Sequence, residues 1–200
     1  MQYLKDEVRN NILEEALKEF RQKGYQGASI RSIAKNADTS VGNIYKYFSS
    51  KESLYESLIR PVYSQLMNYI LQFEQVEHNE KAEDIFYQLM EKIMEIFNQN
   101  NKELSILLNK SEGSKYENCK SSFVDFITRI VTDTMEYQLS LQHKKLEDNF
   151  IIYLLSYNLV QSIAIILREK EDGTEVRKLI FELINIMFLD ITSKLQSKTL

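Results

Sequence analysis

The fold is decided by one stretch, SIRSIAKNADTSVGNIYKYFSSKE, which runs from Ser29 to Glu52 of this 200-residue chain. Its apolar residues recur at the three- and four-residue spacing of a helix face, which predicts two short helices joined by a turn at residues 36–40. Ser29 is placed to cap the first helix, and Ser49 forms an S-x-x-E capping box with Glu52 that starts a further helix. The predicted inward residues are Ile30, Ile33, Ala34 and Ala37 in the first helix and Val41, Ile44 and Phe48 in the second.

The second short helix is left with a polar and aromatic outer face. Ser40, Asn43 and Tyr47 fall on one side of it, with Lys46 beside them. Two short helices with such a face match the helix-turn-helix motif, which places its second helix in the major groove of DNA. An asparagine can bond two atoms of adenine, and lysine and tyrosine can bind phosphate or a base edge. The alternative is a compact helical hairpin whose polar surface has no DNA partner.

The composition favours an all-α protein with its basic residues near the N-terminus. The chain has only five Gly and one Pro, and so few helix breakers favour long helices over a β-sandwich. The formal net charge is −4, but residues 1–60 carry +2 and residues 61–200 carry −6. The basic excess therefore coincides with the helix-turn-helix, where a phosphate-binding surface would need it.

The sequence patterns of common enzymes and metal sites are missing. His78 and His143 are far apart and lie in no metal-binding spacing, and glycine-rich phosphate loops and nucleophile motifs are absent. Cys119 is the single cysteine, so the chain cannot form an internal disulfide or a thiolate cluster. We therefore predict no catalytic residue, no metal, no cofactor and a cytoplasmic location. An enzyme built in a helical bundle is the least supported alternative.

The most apolar segment, Phe150–Leu167, has 14 apolar residues out of 18. Its length is borderline for a membrane span, but Ser156, Asn158, Gln161 and Ser162 would be costly in lipid. A helix that is apolar nearly all round is expected instead in a protein core or in an oligomer interface. We predict no membrane partner.

Apolar stripes predict a chain that is helical almost throughout. The N-terminal helix of the chain, which precedes the decisive stretch, is expected to end at Lys23, before Gly24, with Glu19 in solvent. Pro61 is expected to kink or break the fourth helix, and Thr174 is expected to cap the last one. The predicted helices outside the decisive stretch are residues 6–23, 49–73, 82–98, 103–109, 116–141, 148–170 and 174–195.

Several short sequence motifs lie between Phe20 and Leu58. This combination resembles the N-terminal domain of the tetracycline-repressor (TetR/AcrR-like) family of bacterial transcriptional regulators. Two positions depart from the family pattern, because Thr39 replaces a usual valine and Tyr47 replaces a common histidine. The rest of the chain resembles the family in length and helical pattern only. The matching motifs are Gly24-Tyr25-x-Gly27, Ile33-Ala34, Ser40-x-Gly42, Tyr45-x-Tyr47-Phe48 and Ser50-Lys51-Glu52-x-Leu54.

The resemblance implies an all-α fold of two domains. Residues 1–48 would form a three-helix helix-turn-helix DNA-binding domain, and residues 49–200 would form a larger helical ligand-binding and dimerisation domain. The positions that match the family's DNA contacts are Ser29, Arg31, Thr39, Ser40, Val41, Gly42, Asn43, Tyr45, Lys46, Tyr47 and Lys51.

The resemblance also implies a homodimer and an unidentified small-molecule effector. The last two helices offer much apolar surface, so we expect them to pair with a second copy as a four-helix bundle, although both could pack inside one chain. Methionine and aromatic residues suit an adaptable apolar pocket, although each can equally be ordinary core. The candidate pocket residues are Tyr87, Met90, Met94, Phe97, Leu107, Phe123, Phe126, Tyr153 and Tyr157.

The motifs together with the family resemblance imply a ligand-responsive repressor. It would bind a palindromic double-stranded DNA operator as a homodimer and be released by a small, largely apolar effector. The alternative is an all-helical small-molecule sensor or binding protein without DNA-binding activity. The two hypotheses differ in whether the outer face of the second short helix contacts DNA.

Overall fold

The structure is a computed structural model that describes residues 2–76, 82–189, 191 and 194. Within those residues the chain forms nine α-helices and no strand, which confirms the predicted all-α fold. The predicted end of the last helix, at residue 195, lies outside the described residues. The helices are α1 (Gln2–Gly27), α2 (Ile30–Asn36), α3 (Val41–Tyr47), α4 (Lys51–Glu74), α5 (Ala82–Gln99), α6 (Asn101–Asn109), α7 (Cys119–Ser140), α8 (Phe150–Glu169) and α9 (Gly173–Phe188).

The helices form two compact units, each with its own core. The first unit comprises Met1–Gln65 and Asn100–Cys119, so α6 and the segment after it join α1, α2, α3 and the start of α4. The second unit comprises Leu66–Gln99 and Lys120–Leu200. The predicted functional boundary at residue 48 stays a prediction.

An aromatic cluster joins distant parts of the chain in the first unit. The buried ring of Tyr55 packs edge-on against Phe20 and Tyr25, with ring centroids 4.9 and 4.8 Å apart, and lies 6.2 Å from the ring of Tyr116. The Tyr55 hydroxyl shares a 2.9 Å hydrogen bond with Ser111 Oγ. Burial raises the pKa of Tyr55 to about 12, so this hydroxyl stays protonated. The segment after α6 is thereby fixed to α1 and α4.

The regular part of α1 ends where the sequence predicts. Gly24 leaves the helical conformation with φ +72° and ψ 171°, a region that is strained for residues with a side chain. The next N–H, that of Tyr25, donates to the Lys110 carbonyl at 2.9 Å. Glycine at this position therefore lets the end of α1 bend so that the Tyr25 N–H bonds the carbonyl at the C-terminal end of α6.

The fourth helix differs from the prediction in its cap and in its continuity. Ser50 Oγ accepts the Ser53 N–H at 3.0 Å, so the predicted capping box at Ser49 is wrong by one residue. The helix is continuous through Pro61, so the predicted break is absent. Pro61 is exposed, and water can therefore bond the carbonyl that loses its partner N–H.

In the second unit, α9 packs along α5 and α8. Gly173 lies so close to the Asn98 carbonyl that a Cβ would be 2.0 Å from its oxygen, which excludes a side chain there. Arg177 of α9 forms an ion pair with Glu91 of α5. These contacts fix the start of α9 against α5.

Two helix starts in this region differ from the prediction. The cap of α9 is Asp172, whose Oδ1 accepts the Glu175 N–H at 2.7 Å, so the predicted Thr174 cap is wrong. The helix α7 begins at Cys119 rather than at Tyr116, because the Tyr116 N–H is bonded within the preceding turn. In both places several residues could accept or donate the same bond, and sequence does not rank them.

Candidate nucleic-acid interface

Serine side chains cap both short helices. Ser29 Oγ accepts the Ser32 N–H at 3.5 Å at the start of α2, which confirms the predicted cap. Ser40 Oγ accepts the Asn43 N–H at 3.1 Å at the start of α3. Each cap satisfies an amide that has no partner within its helix.

The turn between α2 and α3 is fixed from both sides. Asp38 adopts φ +48°, and the Thr39 N–H donates to the Ala34 carbonyl at 2.9 Å. From α1, Asn11 Nδ2 donates to the Ala37 carbonyl at 3.0 Å. Sequence reasoning missed Asn11, because one polar residue among the solvated positions of a helix carries no signal of a distant partner.

A row of apolar residues holds the two helices against the rest of the first unit. The row agrees with the predicted inward positions, which supports the helical spacing read from the sequence. The buried members are Ile33, Ala34, Ala37, Ile44 and Phe48, and the half-buried members are Ile30 and Val41.

The outward face of α3 consists of Gly42, Asn43, Tyr45, Lys46 and Tyr47. Gly42, Tyr45 and Lys46 are exposed, Tyr45 by 49%, whereas Asn43 and Tyr47 are half-buried at its edge. This seven-residue helix is short enough to enter a major groove about 12 Å wide. The other predicted DNA contacts are exposed at Ser29, Arg31 and Ser40 and half-buried at Thr39, Val41 and Lys51.

The side chain of Asn43 is held by the turn that precedes its helix. Its Nδ2 donates to Thr39 Oγ1 at 2.9 Å. A carboxamide has two N–H donors and one carbonyl acceptor, so one N–H and Oδ1 remain for a ligand. That pair complements the acceptor N7 and the donor N6 that adenine presents in the major groove.

Lys51 is engaged within the protein, a role that sequence reasoning did not find. Its Nζ donates to the Gln26 and Ala28 carbonyls at 3.2 and 3.4 Å and lies 4.8 Å from the centroid of the Tyr25 ring. The ammonium thereby ties the start of α4 to the end of α1. An ammonium has three donors, so one N–H is left for a phosphate.

The prediction that Glu19 is solvated is wrong. The residue is only 7% exposed, and its carboxylate accepts the Ser29 N–H and the Ser32 hydroxyl, both at 3.1 Å. A buried carboxylate is tolerated where hydrogen-bond donors satisfy it. Glu19 therefore fixes the start of α2 against α1.

The predicted pocket residues lie in different surroundings. The three candidate tyrosines are exposed, so a pocket that includes them stays a proposal. Leu107 belongs to the first compact unit and the other eight to the second. Buried are Met94, Phe97, Leu107 and Phe123; half-buried are Met90 and Phe126; exposed are Tyr87, Tyr153 and Tyr157.

The helices α8 and α9 leave a group of large apolar side chains in solvent. We call this group the apolar α8–α9 surface. Ile186 is its most exposed member at 73%. By length and composition alone α8 could cross a membrane, a test that core helices of water-soluble proteins also pass. The members of the surface are Phe150, Ile151, Tyr153, Leu154, Tyr157, Ile165, Ile186 and Leu189, the last directly after α9.

Within the described part of the chain, no group of three or more His, Cys, Asp or Glu residues could hold a metal ion. His78 lies outside the described residues. Burial raises the pKa of the Cys119 thiol to about 12, so this cysteine is a protonated core residue and not a reactive thiolate.

The short helices, their turn and the outward face of α3 define a helix-turn-helix protein. Residues 12–58 match the family model of the bacterial regulatory proteins of the tetR family, which confirms the resemblance read from the motifs. This segment is therefore an N-terminal domain of the TetR family.

Two curated relatives extend the match. The probable HTH-type transcriptional regulator YttP of Bacillus subtilis is 32% identical over 104 residues, which cover 51% of this chain and 49% of YttP. IcaR, the negative transcriptional regulator of the biofilm operon icaADBC of Staphylococcus aureus, is 29% identical over 89 residues, which cover 44% of this chain and 47% of IcaR. The chain spans about half the length of the curated relatives it matches. Both relatives are named as transcriptional regulators and not as enzymes.

A solved structure resembles more of the chain. It is a TetR-family transcriptional regulator from Bordetella parapertussis, with a TM-score of 0.60 and 16% sequence identity. The match covers 93% of this chain and 96% of that one. At this identity the likeness shows the fold alone.

Proposed function

We propose that this protein is a cytoplasmic transcriptional repressor that binds a palindromic DNA operator as a homodimer and is released by a small, largely apolar effector. The observation that carries the proposal is the outward face of α3 on a TetR-family domain. The name of IcaR, a negative regulator, supports repression over activation. Residues 1–48 would bind DNA, and residues 49–200 would bind the effector and the second copy.

The side chains on and around α3 suit a DNA surface. Asn43 offers a donor and an acceptor to a base edge, and the exposed Tyr45 and Lys46 can reach bases or phosphates. Arg31, exposed on α2, can grip the backbone beside the groove. One short helix buries too little surface for specific binding. We therefore expect two copies on half-sites about 34–36 Å apart.

The apolar α8–α9 surface supports the homodimer. Monomeric proteins rarely leave large apolar patches in water, and such patches commonly mark an interface. A second copy that presents the same surface about a two-fold axis would cover both patches at once. The two helices of each copy would then form the four-helix bundle that the sequence predicts.

The effector site is supported by the apolar interior of the second unit. Met94, Phe97 and Phe123 are buried there and could line a small apolar site. Ser156 Oγ is buried without a hydrogen-bond partner within the described residues, so an effector could bond it. Such an effector releases DNA only if it binds the DNA-free conformation more tightly.

Gel-shift titration of the purified protein with the DNA that flanks its own gene tests the proposal. The measurement is made at two stated salt concentrations and with unrelated competitor DNA, because phosphate contacts alone give salt-dependent binding to any sequence. A shift that survives competitor is the expected result. If no competitor-resistant shift appears at either salt concentration, the repressor hypothesis fails and the sensor without DNA-binding activity becomes the better account.

A thermal-shift screen addresses the effector separately. Apolar and cationic compounds are added to the protein, and a ligand at 100 times its Kd should stabilise the fold by about 2.7 kcal/mol. A compound that raises the melting temperature should also weaken the gel shift. A stabilising compound that leaves DNA binding unchanged contradicts its role as an effector.

A further inference from the structure

We propose that Thr39 is a specificity-determining positioning residue, whose hydroxyl holds the Asn43 carboxamide in the orientation that reads one base pair. The inference rests on the proposed function, because it assigns a role within the DNA-reading helix. It differs from the sequence-based expectation, in which Thr39 contacts DNA itself. The observation behind it is the 2.9 Å hydrogen bond from Asn43 Nδ2 to Thr39 Oγ1.

Thr39 is a fixed support for this bond. Its N–H donates to the Ala34 carbonyl at 2.9 Å, and Asp38 before it adopts φ +48°. On the other side of the bond, the backbone N–H of Asn43 lies 3.1 Å from the capping Ser40 Oγ. Both ends of the side-chain bond therefore start from backbone that the turn and the cap hold in place.

The bond changes what Asn43 can offer to DNA. A free asparagine side chain rotates, and binding must first stop that rotation at an entropic cost. With one N–H on Thr39, the carboxamide plane is set before DNA arrives, and Oδ1 and the second N–H remain as an acceptor–donor pair. An adenine offers the complementary pair in the major groove. Thr39 thus acts on the base through Asn43.

A direct phosphate contact by Thr39 predicts a different result. Phosphates carry no sequence information, so the loss of such a contact weakens binding to every sequence equally. Loss of a positioning bond instead lowers the preference for one base pair and leaves binding to unrelated DNA unchanged. The two roles are therefore separable by a comparison of cognate and unrelated sequences.

The experiment compares the full-length protein with its Thr39→Val, Thr39→Ser, Asn43→Ala and Thr39→Val/Asn43→Ala variants. Valine keeps the shape of threonine without the hydroxyl, and serine keeps the hydroxyl. The wild-type protein selects its site from random duplex DNA. Kd values are then measured at one salt concentration for that site, for each single base-pair change in a half-site, and for an unrelated duplex.

We expect Asn43→Ala to remove the preference at one base pair of each half-site. Thr39→Val should lower the preference at the same base pair by about 3- to 10-fold, the cost of ordering one freed side chain. Its Kd for unrelated DNA should stay within about twofold of the wild type, since phosphate contacts are kept. Thr39→Ser should retain the preference, and the double variant should equal Asn43→Ala, because coupled residues are not additive.

Three results overturn the inference. They are an unchanged preference in Thr39→Val, an equal loss on all sequences, and effects of the two substitutions that add in the double variant. A wild-type protein that selects no sequence at all contradicts the proposed function itself, and it removes this inference at the same time. If Thr39→Val has a low melting temperature but Thr39→Ser retains the base-pair preference, the result still supports the positioning role of the Thr39 hydroxyl.

Discussion

The two compact units expose opposite kinds of surface. In the first unit, α3 presents Tyr45, Lys46 and Asn43 above a core that the aromatic cluster around Tyr55 closes. In the second unit, α8 and α9 leave large apolar side chains in solvent, of which Ile186 is the most exposed. The first unit completes its own core and offers polar groups, which suit DNA. The second leaves apolar surface that suits a second copy of the chain.

Long-range polar contacts explain why the face of α3 is well supported. Glu19, Asn11 and Lys51 each bond a backbone group near α2 that is distant in sequence. Such bonds satisfy buried or half-buried backbone groups and fix the helices that carry the proposed DNA-reading residues. The proposed contact with base edges would benefit from this support, because a misplaced donor loses its partner.

The largest expected effect comes from a charge on the apolar α8–α9 surface. Ile186→Glu should weaken the homodimer about 100-fold, because a carboxylate buried in an apolar interface is costly and a central residue can carry 2 kcal/mol or more. The dimer dissociation constant is measured by analytical ultracentrifugation over a concentration series. The monomer should stay folded, since this side chain is 73% exposed.

The neighbouring residue provides the control for that change. Asn185 is also exposed on α9, and Asn185→Glu introduces the same charge at a position that is polar already. It should leave the dimer within about threefold of the wild type. Equal behaviour of the two variants would show that the apolar α8–α9 surface is not the interface.

The next effect distinguishes two lysines of the first unit. Lys46 is exposed, so Lys46→Ala should weaken all DNA sequences about tenfold at low salt and reduce the slope of log affinity against log salt by about 0.9 for each protomer. The folded protein should keep its melting temperature. The same change at exposed Lys178, on α9, is the control and should alter neither quantity.

Lys51→Ala should behave differently, because its ammonium is bonded to two carbonyls and lies over the Tyr25 ring. We expect a loss of about 1 kcal/mol in the free energy of unfolding together with weaker DNA binding. Thermal melting and gel shifts at several salt concentrations measure the two effects. An unchanged melting temperature would argue that Lys51 serves DNA alone.

Much of the fold could be predicted because local signals agreed with one another. The spacing of Ile33, Ile44 and Phe48 and the cap at Ser29 placed α2 and α3 correctly. Of the kink or break predicted at Pro61, the break is wrong, because the strong apolar stripe of α4 outweighs one missing hydrogen bond at an exposed position. The kink stays a prediction.

The candidate site was harder to predict in detail because its supports are distant in sequence. The end of α1 lies between Glu19 and the Ser29 amide that it bonds. The spacing of apolar residues in α1 does not indicate that the Glu19 carboxylate points inward. The bond between Thr39 and Asn43 spans four residues, but only the geometry of the turn shows that they meet. Residue types at the surface were predictable, and their hydrogen-bond partners were not.

An effect on stability without any effect on DNA binding is expected inside the aromatic cluster. Tyr55→Phe removes the hydroxyl that bonds Ser111 and keeps the ring, so the free energy of unfolding should fall by about 1 kcal/mol. Chemical denaturation measures this change. Tyr45→Phe, at the exposed position on α3, is the matched control and should leave stability unchanged. A Tyr55→Phe protein as stable as the wild type would show that the hydrogen bond to Ser111 contributes nothing.

The smallest effect is a pH dependence of the first unit. Burial raises the pKa of the Cys119 thiol from 9.0 to about 12. The unfolded chain therefore loses this proton first, and stability that is present below pH 9 is lost as the pH rises toward 12. Between pH 8 and 9 the loss should be about 0.3 kcal/mol. Cys119→Ala should remove this part of the slope, and an identical slope in that variant would contradict the buried thiol as its source.

The central claim, that the outward face of α3 reads DNA, is tested most directly by one ratio. The ratio is the Kd for unrelated duplex DNA divided by the Kd for the selected site, measured at physiological salt for the wild type and for Asn43→Ala. We predict a wild-type ratio of about 10³ or more and, in the variant, a fall of about 5- to 150-fold for each of the two half-sites, the value of one bidentate base contact per protomer. A wild-type ratio near one, or an equal ratio in Asn43→Ala, would contradict the account.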